Sequence, residues 1–185
     1  MSGAELFDVC DARGEPTGET ITRDEAHRTG TRHRVVHVWI PRRYEGRREV
    51  LLEQRSPEKD AFPNRFDTCA GHIDAGDAPL DTARRELFEE LGVRAAEEEL
   101  RFIGKFEIRY ERPFHGAMFC DWEISFSYVL EREVALTELT LQAEEVSDAR
   151  WFDLEELKHA VAAGDDRFCI SPEGLKLLVD HLDRL

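Results

Sequence analysis

Three glutamates, Glu86, Glu89 and Glu90, stand at i, i+3 and i+4 within the run ARRELFEELGV. On a helix that spacing projects all three carboxylates from one face. Like charges so close repel one another unless a cation sits between them. Hard oxygen donors in this number suit Mg²⁺ or Mn²⁺, ions that usually serve phosphate chemistry. The bland alternative is a solvated acidic face, and it would prevail if the glutamates stood alone. Arg85 lies four residues before Glu89 and four after Asp81, which is also the spacing of an intrahelical ion pair.

The elements around the glutamates are arranged to hold a short helix. A glycine-led loop, GHIDAGDA, precedes it, and Pro79 is tolerated in a first helical turn. Asp77 or Asp81 would favour the positive end of the helix. Leu80, Ala83, Leu87 and Leu91 form an apolar stripe, and Gly92 supplies a left-handed stop.

Taken together, residues 71–93 resemble the signature of the Nudix hydrolases, G-x5-E-x7-R-E-U-x-E-E-x-G-U with U apolar. Gly71, Arg85, Glu86, Leu87, Glu89, Glu90, Gly92 and Val93 fall on their places, and Asp77 stands where the family has Glu. So many fixed residues at fixed spacing seldom coincide by chance. The resemblance implies an α/β fold, an α/β/α sandwich with a central mixed β-sheet, over a single domain at 1–185. It also implies Mg²⁺ (or Mn²⁺) held by Glu86, Glu89 and Glu90 with the Gly71 carbonyl completing the shell. Arg85 would orient a catalytic glutamate. The base is left open between Glu86 and an acid on the loop before RWF, Glu144 or Glu145.

Composition fits a soluble globular protein. The 185 residues carry 35% charged and 41% hydrophobic side chains and a net charge of −15. That charge argues against non-specific partners such as nucleic acid or an anionic membrane, while a bound metal can still admit an anionic substrate. No apolar run is long enough to span a bilayer, and the first residues lack a signal-peptide pattern. Cys10, Cys69, Cys120 and Cys169 are widely spaced, as expected of reduced thiols in a cytoplasmic protein. Strands are expected at 5–10, 19–22, 33–40, 49–56, 101–111 and 121–131, with RRYEGRR as a polar turn. Helices are expected after RWFD up to Gly164 and from Pro172 to the end.

A second resemblance lies outside the box. EAHRTGTRHRVVHVWI is similar to the amino-terminal metal-binding segment of isopentenyl-diphosphate isomerase. His27, His33 and His72 would match its histidine ligands, and Asp121 and Glu123 its acidic pair. Tyr110 would match its tyrosine, and Arg55 and Lys59 its diphosphate grip. Histidine is equally a core residue, and His33 and His37 share one side of a strand. The isomerase cysteine directly precedes its G-H or S-H dipeptide, where this chain has Ala70. Cys69 is one residue off, and on a strand that turns its thiol to the other face. The intact glutamate set also favours hydrolysis.

The sequence therefore points to a Mg²⁺-dependent hydrolase of a small-molecule diphosphate, in the isomerase-like branch of the Nudix hydrolases. Nucleoside di- or triphosphates come first as substrates. The alternatives are an isomerase or prenyl-diphosphate hydrolase, and a nucleotide-binding regulator without turnover. Arg55, Lys59, His72 and Glu123 are the candidate substrate contacts. Phe62, Phe66, Phe114 and Trp122 could line a pocket for a base or an isoprenoid tail. Oligomeric state is not legible.

Overall fold

The structure is a computed structural model that describes residues 5–185. A hairpin of β1 (Leu6–Cys10) and β2 (Pro16–Thr22) leads into a short helix α1 (Arg23–Thr29). β3 (His33–Tyr44), β4 (Arg47–Arg55), β5 (Phe66–Asp67) and β6 (Cys69–His72) follow, and then helix α2 (Pro79–Leu91). A long hairpin of β7 (Leu100–Phe114) and β8 (Ala117–Leu130) precedes β9 (Val146–Asp153), α3 (Leu154–Ala162) and α4 (Pro172–Leu182).

β3 is the spine of a seven-stranded mixed sheet. Its one side pairs in parallel with β8 from His33 to Trp39. Its other side is shared: Val35–Val38 pair with β6, and Ile40–Tyr44 pair with β4. The sheet thus forks at Trp39, with β4 going on to pair with β5 and β9. Alternation along β3 sends Val36, Val38 and Ile40 to one face, where they pack with Leu87 and Leu91 of α2. Trp39 faces the opposite side, where Leu154, Leu157, Leu175 and Leu178 of α3 and α4 bury it. Helices on both faces make the expected sandwich with a central mixed sheet.

Local chemistry explains the boundaries. Pro79 opens α2, and Gly92, at φ 73°, closes it by donating to the Leu87 and Phe88 carbonyls. Ala78 occupies the N-cap of α2 without a side-chain bond, so neither Asp77 nor Asp81 caps it. The polar turn expected over RRYEGRR is much shorter: strand pairing runs to Tyr44 and Arg47. Glu45 and Gly46, both at positive φ, make a two-residue turn whose twist matches the strands. His115 and Gly116 close the β7–β8 hairpin in the same way, which lengthens both strands beyond the expected 101–111 and 121–131. β2 likewise begins at Pro16 rather than residue 19.

Helix α1 has no counterpart in the sequence reading. Its seven residues show no apolar periodicity, and it stands by its caps: the Thr22 hydroxyl accepts from the Glu25 amide, and Gly30 turns left-handed at φ 67°.

Leu87 is fully buried where α2 meets the sheet. Leu87→Ala is expected to cost about 2–5 kcal/mol, read from the urea midpoint at constant slope.

Candidate active site and metal centres

A cleft of about 290 Å³ lies beside the fork. Its walls come from β3, β6, β7 and β8, the end of β4, one face of α2 and the loops carrying Lys59 and Glu145. Arg55, Lys59, Gly71, His72, Arg85, Glu86, Glu89, Glu90, Glu123 and Glu145 all line it. The residues singled out in the sequence therefore share one space.

On the α2 side, Glu86 and Glu90 are buried and Glu89 is exposed. The Glu86 carboxyl rests directly on Gly71; any Cβ there would overlap its carbon and both oxygens. The constraint at Gly71 is close approach rather than an unusual φ, and a side chain there would displace the Glu86 carboxyl. Burial and the nearby Glu90 push the Glu86 carboxyl up to about 8 despite Arg85 at 2.9 Å. Arg85 donates to Glu89 Oε2 at 3.1 Å and to the His72 carbonyl at 3.2 Å. Glu90 accepts from the Ala70 amide at 3.2 Å, and Lys59 Nζ stands 3.5 Å from its other oxygen. Lys59 also pairs with Glu145. Glu144 is exposed and offers only its carbonyl, to the Ser56 hydroxyl, so the two acids on that loop separate. Arg55, anchored through Nε to the Ala61 carbonyl at 3.0 Å, completes the cationic side.

The opposite wall is assembled by strand register. His33 is level with Glu123, His72 with Val35 two residues on, and Asp121 with Tyr110. Helix α1 adds His27. Nε2 of His72 lies 3.3 Å from Nε2 of His27 and 3.6 Å from Glu123 Oε1. Nε2 of His33 lies 3.7 Å from the same oxygen and 3.9 Å from Asp121 Oδ1. Thr31 accepts from Nδ1 of His33, which leaves Nε2 as the lone-pair nitrogen. Phe7 stacks on His33 and His72 and holds both rings.

Electrostatics here favour a cation. Burial, with His33 and Arg23 adding to it, lowers His27 to about 3; burial likewise lowers His33 to about 4 and His72 well below the imidazole range. The three rings are therefore neutral near pH 7. Burial pushes Asp121 up to about 6, opposed by the Tyr110 hydroxyl, and lifts Glu123 well above the carboxylate range. Nε2 of His33 and Oδ1 of Asp121 are buried without a hydrogen-bond partner among the described residues. Three neutral imidazoles and the Glu123 carboxyl, with donor atoms within 4.8 Å of one another, fit a divalent ion.

Some expected residues lie elsewhere. Asp77 is exposed and does not line the cleft. Phe66 packs in the α3–α4 core, and Trp122 is sandwiched between Arg32 and Arg109 on the other face of β8. Phe62 does line the cleft and meets Tyr110 and Phe114 edge-on. Ala70 faces the cleft whereas Cys69 is buried beneath it, as the strand alternation requires. Arg23, Glu53 and Asp67 were missed. Arg23 reaches the cleft from α1, and its signal was hidden with that helix. Glu53 had a signal, a lone acid inside the apolar run VLLEQ.

Residues 31–170 match the sequence profile of the NUDIX domain. The chain belongs to the Nudix family. It is 38% identical over 167 residues to Nudix hydrolase 3 of Arabidopsis thaliana; that covers 89% of this chain and 21% of the plant protein, so only a fifth of that relative is represented. An uncharacterized Nudix hydrolase of Listeria monocytogenes is 32% identical, covering 87% of both chains. An isopentenyl-diphosphate Delta-isomerase of Cereibacter sphaeroides is 30% identical, covering 89% of this chain and 87% of its own. Among solved structures, DR0079 of Deinococcus radiodurans superposes with a TM-score of 0.64 at 25% identity, covering 86% of this Nudix chain and 90% of its own. Both family resemblances read in the sequence are thus present among its relatives. Among the described residues no helix is long and apolar enough to cross a membrane.

Gly71→Ala is expected to dislodge the Glu86 carboxyl and weaken Mn²⁺ binding at least tenfold while circular dichroism stays unchanged; calorimetric titration checks it. Glu86, raised from 4.5 to about 8, gives stability that is full below 4.5 and lost as pH rises through 8. In chelator, the melting temperature is expected to fall from about pH 5 to 8 and level off above, less so in Glu86→Gln, and Mg²⁺ should restore it.

Proposed function

We propose that this Nudix chain is a Mg²⁺-dependent hydrolase that cleaves the P–O–P linkage of a small organic diphosphate. A nucleoside di- or triphosphate is the first substrate class. The observation carrying this reading is that Glu86, Glu89 and Glu90 face the same cleft as Arg55 and Lys59. Basic groups set among acidic ones in one space fit a metal-neutralised polyphosphate better than either charge alone.

Glu86, Glu89 and Glu90, with the Gly71 carbonyl, would hold Mg²⁺, or Mn²⁺ in its place. When bound, the cation supplies charge neutralisation for the phosphates and makes nearby water more acidic. Arg55 and Lys59 grip phosphate oxygens and orient the anhydride. Glu145, on a loop at the cleft edge, or Glu86 in its ionised form, accepts the proton of the attacking water. Arg85 is a positioning residue that ties Glu86 and Glu89 to the His72 carbonyl. His72 and Glu123 complete the substrate side, and with His27, His33 and Asp121 they form a second place for a divalent ion beside the phosphates. A cytoplasmic setting fits four cysteines that form no disulfide.

One observation favours a prenyl diphosphate as substrate: the cleft combines the histidine–carboxylate cluster with the aromatic side chains of Phe62, Tyr110 and Phe119. Isomerisation fits less well, because Ala70 occupies the cleft position where a thiol would be needed.

The test incubates the protein and Mg²⁺ with nucleotides and prenyl diphosphates while following phosphate, pyrophosphate and isomer formation. Hydrolysis is expected, and Glu89→Gln or Glu90→Gln should lower turnover by roughly two orders of magnitude or more with the fold intact. Isomer without phosphate release would replace this reading, and saturable binding without turnover would make the chain a regulator.

A further inference from the structure

Beneath the cleft floor, three donors from three different elements converge. Glu53 comes from β4, where it is level with Asp67 and Ala149. Cys69 comes from β6, level with Val38, and Glu90 comes from α2. Each is only 3% exposed. One donor atom from each lies within 4.8 Å of the other two. Oε2 of Glu53 is buried and has no hydrogen-bond partner among the described residues. A carboxylate oxygen left so is costly unless something positive meets it. The ammonium of Lys59 meets Glu90 but is shared with Glu145.

We propose that Glu53, Cys69 and Glu90 form an inner position for a divalent transition-metal ion, next to the cleft that Glu90 also lines. Metal–ligand bonds of about 2.0–2.3 Å place donors roughly 3–4 Å apart around one ion. The observed spread closes to that with side-chain shifts of about an ångström. The sulfur decides the class of ion. Thiolate mixed with carboxylates prefers Zn²⁺, Co²⁺ or Fe²⁺, while Mg²⁺ is served by the all-oxygen set of α2. On binding, the Cys69 thiol gives its proton to solvent as the sulfur–metal bond forms. Glu90 then bridges: one oxygen faces inward and the other faces the cleft. That bridge is the only part resting on the proposed role of Glu90 in hydrolysis. An inner ion would lock the Glu90 carboxylate at the distance the outer ion requires.

Cobalt provides a probe that distinguishes the positions. Bound to a thiolate it gives an intense near-ultraviolet charge-transfer band. The helix glutamates and the histidine cluster contain no sulfur and are silent there. The chelator-treated chain titrated with Co²⁺ is expected to show this band and to bring it to saturation. Cys69→Ser and Glu53→Gln should each abolish it or weaken affinity at least tenfold, with circular dichroism unchanged. Cys169→Ser, whose thiol bonds Asp67 in the cleft, should retain it. No band in the wild type, or a band surviving in Cys69→Ser, overturns the inner site. Mg²⁺-driven hydrolysis measured on the same preparations separates the two readings. Glu89→Gln should lose turnover and keep the band. A wild type that shows the band but hydrolyses nothing refutes the hydrolase and leaves the inner site standing.

Discussion

Burying a carboxylate costs several kcal/mol unless positive charge or hydrogen-bond donors meet it. This protein buries Glu53, Asp67, Glu86, Glu90, Asp121 and Glu123 around a single cleft. No ordinary core requires that concentration of acid. The resident cations, Arg23, Arg55, Lys59 and Arg85, are themselves largely tied to acids or carbonyls. The fold is therefore organised to hold a negative field in a partly dry space, and the sandwich of helices exists to pay that cost with two apolar cores.

The fork of the sheet makes this possible. If β3 paired with a single partner throughout, the gap between β6 and β4 would close and the α2 carboxylates would meet backbone. Because β6 takes over only from Val35 to Val38, Gly71 and His72 end beside the opening. These consecutive residues serve opposite walls: Gly71 seats the Glu86 carboxyl, and His72 joins the histidine cluster. The Arg85 bond to the His72 carbonyl ties the two walls at that point. The acidic helix and the histidine group are thus mechanically one site, although they sit on different elements.

How much of this was legible in the sequence varied with how local each signal was. The α2 segment carries its proline start, stripe and charges within thirteen residues and its Gly92 stop directly after them, so its geometry followed from spacing alone. The long strands were visible as apolar alternation, but their ends were not, since tight turns at Glu45–Gly46 and His115–Gly116 depend on φ rather than polarity. Helix α1 is held by two caps and by packing on β8 that no local pattern announces. The meeting of His33 with Glu123 depends on a parallel register between strands ninety residues apart, which periodicity does not encode. Glu53 was passed over because a single acid in a strand looks like the exposed half of an alternation until its partner strands are known.

The aromatic rim is tied to the charged walls. Phe62 sits at a positive φ of 50° in a loop pinned from outside, by His115 donating to the Lys59 carbonyl at 2.9 Å and by Arg23 holding Asp60 at 3.1 Å. Those pins belong to the tip of the β7–β8 hairpin and to α1, and none of them touches the α2 glutamates. The same loop carries Lys59, which meets Glu90, and the Ala61 carbonyl that anchors Arg55, so insertions or exchanges there move the aromatic rim and the cationic groups together. In evolutionary terms the two are inherited together here, because a single short loop carries both Phe62 and Lys59.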